Sequence, residues 1–172
     1  MLPPLLFSTI EVTRQAFHRT ALSFAIVNLK PLVPGHVLVC PTRPVPRLTD
    51  LTPAELAALM LSVQRVGRAV ERAYAADALT FACQDGRAAG QTVPHVHFHV
   101  LPRKAQGDRF AGDDVYPALE RAEGELAPAR THEPLRVDAE EDRQPRALEE
   151  MEREARWLAG FVEGEGGSST GA

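Results

Sequence analysis

A chain of 172 residues is long enough for one domain with a proper hydrophobic core and too short for two full domains with a linker. Hydrophobic residues at 44% and charged residues at 24% are ordinary globular values, which excludes a fibrous repeat and disorder throughout. A formal net charge of -4 argues against a broad cationic surface for nucleic acid, while leaving room for a local phosphate pocket.

Met1 to Phe7 is apolar, but it contains Pro3 and Pro4 and is too short for a signal or membrane segment, so no membrane association is expected. Two weak strands are expected before Ala21. From Ala21 to Leu29 an almost unbroken apolar run, with Asn28 as its polar exception, predicts a buried strand. Pro31, Pro34 and Gly35 then turn the chain into a second run, His36 to Cys40, which predicts an antiparallel pair. The only cysteines, Cys40 and Cys83, each sit in an apolar run and are expected as buried thiols in a reducing compartment.

Thr52, Pro53 and Glu55 supply a capping hydroxyl, a helix-compatible proline and a reciprocal carboxylate, the start signal of a helix. Leu56, Leu59, Met60, Val63, Val66, Val70 and Tyr74 follow at helical spacing and are expected to form one core stripe. Gly67 costs about 1 kcal/mol relative to Ala inside a helix, so close contact with the sheet is expected there. A third strand is predicted over Leu79 to Gln84, a loop over Asp85 to Gln91, and a fourth strand over His95 to Leu101, ending at Pro102.

Beyond Lys104 a polar stretch containing Gly107, Asp108, Gly112, Asp113 and Asp114 leads out of the core. The division expected is a domain over residues 1-116 and an acidic extension, rich in Ala, Glu and Arg, over 117-172. Leu148, Met151, Ala155, Leu158 and Val162 predict a helix near 146-162 in that extension, with a disordered end after Gly164.

The segment His95-Val96-His97-Phe98-His99 carries the chemistry. Side chains alternate faces along a strand, so its three imidazoles are expected on one side, with Val96, Phe98 and Val100 toward the core. Half of the six histidines in the chain lie within these five residues, which a generic surface does not explain. A neutral imidazole is a good nucleophile near neutral pH, and neighbouring imidazoles can hydrogen-bond or protonate phosphate oxygens. The loop Gly90-Gln91-Thr92-Val93 leads into the strand and offers backbone N–H groups beside the attacked phosphorus. The rival reading is a zinc site sharing these histidines with His36 or Asp85. The glutamines, glycine loop and turn amides around the histidines suit phosphate oxygens better than a cation. His18 and His132 fall outside the pattern and are expected as surface or satisfied histidines.

The alternation from His95 to Leu101 resembles the histidine triad superfamily, His-x-His-x-His followed by two apolar residues. The flanks resemble its fragile histidine triad branch, the diadenosine triphosphate hydrolases, at Leu22-Ser23-Phe24-Ala25, Val27-Asn28 and Pro34-Gly35-His36-Val37-Leu38-Val39-Cys40-Pro41. Gln84-Asp85-Gly86, Gly90-Gln91-Thr92-Val93 and Leu101-Pro102-Arg103-Lys104 add to that likeness, which runs from about Ala21 to Lys104. The resemblance implies an α+β fold, an antiparallel sheet of about five strands with one main helix packed on it and a C-terminal helix, usually paired as a homodimer.

It also implies that His97 attacks the α-phosphorus of diadenosine triphosphate, releases ADP and leaves an adenylylated histidine that water cleaves to AMP. By the same likeness His99 and His36 serve the phosphate side and support it, His95 positions or protonates around His97, Asn28 holds the ribose, and Gln84 with Gly90, Gln91, Thr92 and Val93 contacts nucleotide and phosphate. A divalent cation, Mg or Mn, would accompany the polyphosphate without a dedicated protein site. Cytoplasmic location is expected, with the nucleus as a further compartment. Tyr116 falls where some family members carry a modifiable tyrosine, although a loop aromatic packing on a dimer explains it equally well.

Three competing functions share the histidine strand. The adenosine phosphoramidase branch usually differs at Gln84-Asp85-Gly86 and Pro102-Arg103-Lys104. A nucleotide-binding signalling protein would use the substrate complex as its active species, with hydrolysis ending the signal. A nucleotidyl transferase to a sugar phosphate is disfavoured, because that branch tends to replace one triad histidine and adds metal-binding residues.

Overall fold

The computed structural model describes residues 2–124 and 144–164. His132 and the end beyond Gly164 lie outside the described residues, as does most of the stretch between Leu119 and Arg146. Seven strands form: β1 (Leu6–Phe7), β2 (Ile10–Glu11), β3 (Ala16–Arg19), β4 (Ser23–Val27), β5 (Val37–Pro41), β6 (Ala78–Ala82) and β7 (Phe98–Arg103). The helices are α1 (Pro53–Tyr74), α2 (Val115–Gly124) and α3 (Leu148–Glu163). Strands β3-β4-β5-β7-β6 make one sheet in that order, with every pairing antiparallel, and β1 with β2 forms a separate short ribbon.

Three strands precede Ala21 where two were expected. Strand β4 is shorter than the apolar run that predicts it, and β5 starts at Val37, one residue after His36. Strand β6 stops at Ala82 rather than Gln84. The histidine strand is also displaced: β7 begins at Phe98, because the preceding backbone finds partners outside the ladder, with the Val96 N–H donating to the Val45 carbonyl at 2.8 Å. At its other end β7 runs through Pro102, which pairs in register with Leu79. Its pairing with β5 reaches only to Val100 opposite Val37, so beyond that point β7 has one ladder neighbour and tolerates a residue without an N–H.

Helix α1 starts as its cap predicts. The Thr52 side chain accepts from the Glu55 N–H, and Glu55 accepts from the Thr52 N–H at 2.8 Å. Arg43 holds both Glu55 oxygens at 2.7 Å, and this pairing, led by the Arg43 hydrogen bond, keeps the Glu55 carboxyl at about 2. The buried face is Leu59, Ser62, Val63, Val66, Gly67, Ala69 and Val70. Leu56 and Met60, expected in the core, are 40% and 44% exposed because they flank the buried face on one side. Gly67 does lie against the sheet: a Cβ there would come within 2.9 Å of Leu79 Cδ1 and 3.1 Å of Phe81 Cζ.

The sheet is covered on both faces. Phe17, Ala25, Val27, Val37, Val39 and Val100 meet α1 on one face, where Met151, Ala155, Leu158 and Val162 of α3 join the same core. On the other face Phe24, Ile26, Leu38 and Cys40 pack with Val93 and with Leu5, Phe7 and Val12 of the N-terminal segment. Cys40 is buried, and burial pushes its thiol well up. Cys83, expected to be buried, is only partly so, since it lies past the end of β6; neither cysteine is in a disulfide. Among the described residues no helix is long and apolar enough to cross a membrane.

Candidate active site

His99 pairs in register with Leu38, and its ring lies on the sheet face opposite α1. Phe98 and Val100 point the other way into the helix-side core, as the alternation predicts. His36, His95, His97 and His99 are all almost fully buried. The rings form a continuous row: His36 and His99 centroids are 5.2 Å apart, and those of His97 and His99 are 4.9 Å apart. Phe7, from the ribbon, stacks on His95 at 5.5 Å and meets His97 edge-on at 5.1 Å.

Backbone groups fix the tautomers. The His95 carbonyl can only accept, so its 2.8 Å contact with His97 Nδ1 places the His97 proton on Nδ1 and the lone pair on Nε2. The Leu32 N–H donates to His36 Nδ1 at 3.1 Å, which puts the His36 proton on Nε2, 2.9 Å from His99 Nδ1. His99 therefore accepts at Nδ1 and carries its own proton on Nε2 when neutral. Asn28 Nδ2 also approaches His36 Nε2, at 3.3 Å, but the shorter His99 contact sets the direction of donation. The row thus ends on a nitrogen lone pair at His97 beside a nitrogen donor at His99.

His95 differs from its neighbours. Its Nδ1 accepts from the Ser8 N–H at 2.9 Å and its Nε2 donates to the Pro41 carbonyl at 2.8 Å, so both ring nitrogens are engaged by backbone. Burial lowers its pKa to about 4, against the opposing pull of the Pro41 carbonyl. The geometry therefore gives His95 a positioning place, and protonation around His97, which the resemblance also allowed it, has no ring nitrogen to use. Ser8 holds its amide there in a left-handed conformation, φ 56°, which costs a non-glycine residue about 1–2 kcal/mol. With both ring nitrogens on backbone partners, His95 presents no ring lone pair toward the row in this arrangement. Asp85 is tied to Arg47 at 3.1 Å and to the Leu48 N–H at 2.9 Å. Among the described residues no three His, Cys, Asp or Glu side chains are placed to share a metal ion.

The other expected contacts divide into side chains and backbone. Asn28 closes the β4–β5 hairpin, its N–H donating to the His36 carbonyl at 3.3 Å and its Oδ1 accepting from the Lys30 N–H at 3.0 Å. Gln84 lies over Gly90, whose φ of +93° and lack of a Cβ admit the amide; a Cβ there would sit 2.7 Å from Gln84 Nε2. Gln84 Oε1 is buried with no hydrogen-bond partner among the described residues, an atom that calls for a ligand donor or a water. Gln91 instead spends its side-chain amide on the Pro46 carbonyl at 2.7 Å and its backbone N–H on the Gly86 carbonyl at 3.2 Å, the Gly90 N–H goes to the Arg87 carbonyl at 3.0 Å, and Val93 faces the core, so Gly90 and Gln91 shape the loop and the amide donors expected of them are turned inward. Thr92, half-buried, lies between Gln91 and Val93.

His18, expected as a surface or satisfied histidine, is the latter. It is buried on a hydrogen-bonded run through Ser62 at 2.9 Å to Ser23 at 2.7 Å. Together with Arg65 and Arg68 it lines a cavity of about 940 Å³. That cavity contains none of the four clustered histidines, so its size does not make it the reactive site. The residues that sequence reasoning missed are Phe7, Ser8, Pro41 and Leu32, which act through rings or backbone, and Arg146, whose guanidinium donates to the Asn28 carbonyl. No sequence pattern marks a backbone partner.

A five-stranded antiparallel sheet with one long helix and a row of tautomer-fixed imidazoles on its opposite face defines a class of small α+β proteins with a histidine-lined site. The chain belongs to the HIT family: the HIT domain matches residues 9–106. It is 49% identical over 171 residues to the bis(5'-nucleosyl)-tetraphosphatase [asymmetrical] of Schizosaccharomyces pombe, covering 91% of this chain and 93% of that protein. It is 50% identical over 142 residues to the bifunctional bis(5'-adenosyl)-triphosphatase/adenylylsulfatase FHIT of Arabidopsis thaliana, covering 83% of this chain and 74% of that one. The crystal structure of Plasmodium falciparum diadenosine triphosphate hydrolase in complex with Cyclomarin A superposes with a TM-score of 0.70 at 25% identity, covering 96% of this chain and 88% of that chain.

Proposed function

We propose that this HIT protein hydrolyses dinucleoside polyphosphates, diadenosine triphosphate first among them, through an adenylylated His97. The observation that carries the reading is the His97 tautomer, with Nδ1 donating to the His95 carbonyl and the lone pair on Nε2. In the first step Nε2 forms a bond to the α-phosphorus while the bond from that phosphorus to the bridging oxygen breaks, and ADP leaves. In the second, water attacks the same phosphorus, the P–N bond breaks, and AMP leaves with His97 neutral again. One water is consumed, and two in-line displacements retain configuration at phosphorus.

The neighbouring residues supply binding and charge stabilisation. His99 Nε2–H is the donor to a non-bridging or bridging oxygen, and its tautomer is set through His36 by the Leu32 amide. Gln84 contacts the nucleotide, its Nε2 donating to phosphate oxygen while the unpartnered Oε1 accepts from a ligand hydroxyl or a water, and the loop from Gly90 to Val93 presents Thr92 and Val93 beside it, with the Gly90 and Gln91 N–H groups holding the loop's shape. Asn28 holds the ribose. A divalent cation, Mg or Mn, accompanies the substrate and offsets phosphate charge, held by phosphate oxygens and water rather than by a protein cage.

The partner is a second copy of the chain, joined at the β6 side. Strand β6 is a sheet edge, Phe81 on it is 45% exposed, and Leu56 and Met60 of α1 share the helix azimuth of Gly67, which packs on Phe81. Two cysteines outside any disulfide suit the reducing cytoplasm, with the nucleus as a further compartment.

The test is product chromatography. Diadenosine triphosphate given to the wild-type protein should yield equal AMP and ADP, and His97→Ala should lose at least about 10⁴-fold in rate. Diadenosine tetraphosphate and an adenosine phosphoramidate form the comparison arms. Turnover of the phosphoramidate alone would overturn the proposal in favour of the phosphoramidase branch.

A further inference from the structure

We infer that Arg146, which lies 40 residues beyond the family-matched segment, is a positioning residue for the nucleoside end of the site, acting through the Asn28 carbonyl. The inference rests on the reading of Asn28 as the ribose contact.

Asn28 stands one residue past the end of β4, where the sheet gives it only one neighbour. On the β5 side its N–H donates to the His36 carbonyl. The reciprocal bond is missing, because the His36 N–H goes to the Val33 carbonyl at 3.1 Å, so the sheet provides nothing for the Asn28 carbonyl. Arg146 fills that place. Its Nε donates to the Asn28 carbonyl at 3.1 Å, its Nη2 donates to the same oxygen, and its own backbone N–H donates to the Leu29 carbonyl at 3.1 Å. The segment just before α3 thus supplies the donors that the sheet does not, with the guanidinium on Asn28 and a backbone N–H on Leu29.

The guanidinium is itself held. Its Nη1 pairs with Glu154, eight residues on and within α3, and Tyr74 at the end of α1 donates its hydroxyl to the other Glu154 oxygen. Burial and Glu154 together push the Tyr74 phenol well up, so it stays a donor. The Tyr74 ring also lies under Gly35, where a Cβ would be 2.5 Å from Tyr74 Cδ2. Gly35 precedes His36, so Tyr74 touches the turn that carries His36 and, through Glu154 and Arg146, the peptide that carries Asn28. Both ends of the β4–β5 hairpin rest on one ring and one ion pair.

A free carbonyl rotates with its peptide, and the Asn28 side chain turns with it. Two donors converging on that oxygen fix the peptide plane, which is the kind of support a binding residue needs to hold geometry within about 0.5 Å. A single ammonium cannot reproduce the fork.

Arg146→Ala and Arg146→Lys are compared with Met151→Ala, which loosens α3 in the core without touching Asn28. Steady-state hydrolysis of diadenosine triphosphate should show KM raised about tenfold in Arg146→Ala with kcat within about threefold, the mark of lost ground-state binding. Arg146→Lys should lie between. Met151→Ala should lower Tm and leave KM unchanged. The side-chain amide resonances of Asn28 in ¹⁵N-labelled protein should move in Arg146→Ala and stay put in Met151→Ala. An unchanged KM together with unmoved Asn28 resonances in a folded Arg146→Ala protein would overturn the inference. Should the wild-type protein turn over no dinucleotide, the function proposed above falls, and the Asn28 resonances still decide the role of Arg146.

Discussion

His95 opens the histidine motif yet has both ring nitrogens bound to backbone, and that contrast with His97 and His99 yields a stability prediction. Its folded pKa, about 4, lies below the value near 6.5 expected when unfolded, so folding favours the neutral ring. The stabilisation is complete above pH 6.5 and is lost as pH falls toward 4, because the unfolded chain takes up a proton that the native state refuses. The full loss is about 3 kcal/mol. His18, lowered first by burial and then by Arg65, acts in the same direction. Thermal melts from pH 7 to pH 4 should show Tm falling across that window, and His95→Gln should flatten the fall while lowering Tm at pH 7. A wild-type Tm that does not change between pH 7 and pH 4 would contradict this. At this scale the sequence carries the identity of the cluster, since period-two alternation puts histidines together without any tertiary knowledge. It does not carry which histidine reacts, because the tautomers depend on the Leu32 amide, the Ser8 amide and the Pro41 carbonyl, and any residue can supply those groups.

Among the elements, α1 was the most legible, since Thr52, Pro53 and Glu55 announce its start through local hydrogen bonds alone. Its buried face is less legible: Leu56 and Met60 flank it and stay exposed, and a helical wheel weighs them the same as Leu59. The histidine strand was misplaced by three residues at its start because alternation persists where the ladder does not. The turn before β5 has a sharper signature. Gly35 has φ +83° and would place a Cβ within 2.8 Å of Tyr74 and Pro102 atoms. Gly35→Ala should therefore cost roughly 2–4 kcal/mol from left-handed strain plus overpacking. In calorimetry that corresponds to a Tm drop of about 5–15 °C. Helix α3 is the counterpart, legible from spacing but not in its docking site. Leu158→Ala, at a fully buried position, should cost about 2–5 kcal/mol by the same measurement.

For the molecule as a whole, the two sheet edges are treated differently. Strand β3 is covered by α3, whereas β6 leaves its outer edge and Phe81 open beside Met60. Exposed edges invite pairing, so the proposed dimer should form there. Phe81→Asp should convert a dimer to a monomer in sedimentation velocity at micromolar concentration, and a dimer that survives the change would place the interface elsewhere. The fold class needed only the order of runs and turns. The exposed edge beside α1 needed the phase of that helix against β6, which a sequence does not state.

Phe7 and Ser8 precede the family-matched segment, and Arg146 follows it. The histidines sit inside that segment with the Leu32 amide and the Pro41 carbonyl that hold them, but Phe7, Ser8 and the inferred support from Arg146 come from outside it. A change at those three positions therefore reaches the site without altering a reacting group, in segments that a comparison confined to residues 9–106 never sees. A protein trimmed to residues 9–106 would keep the whole motif and lose those three supports.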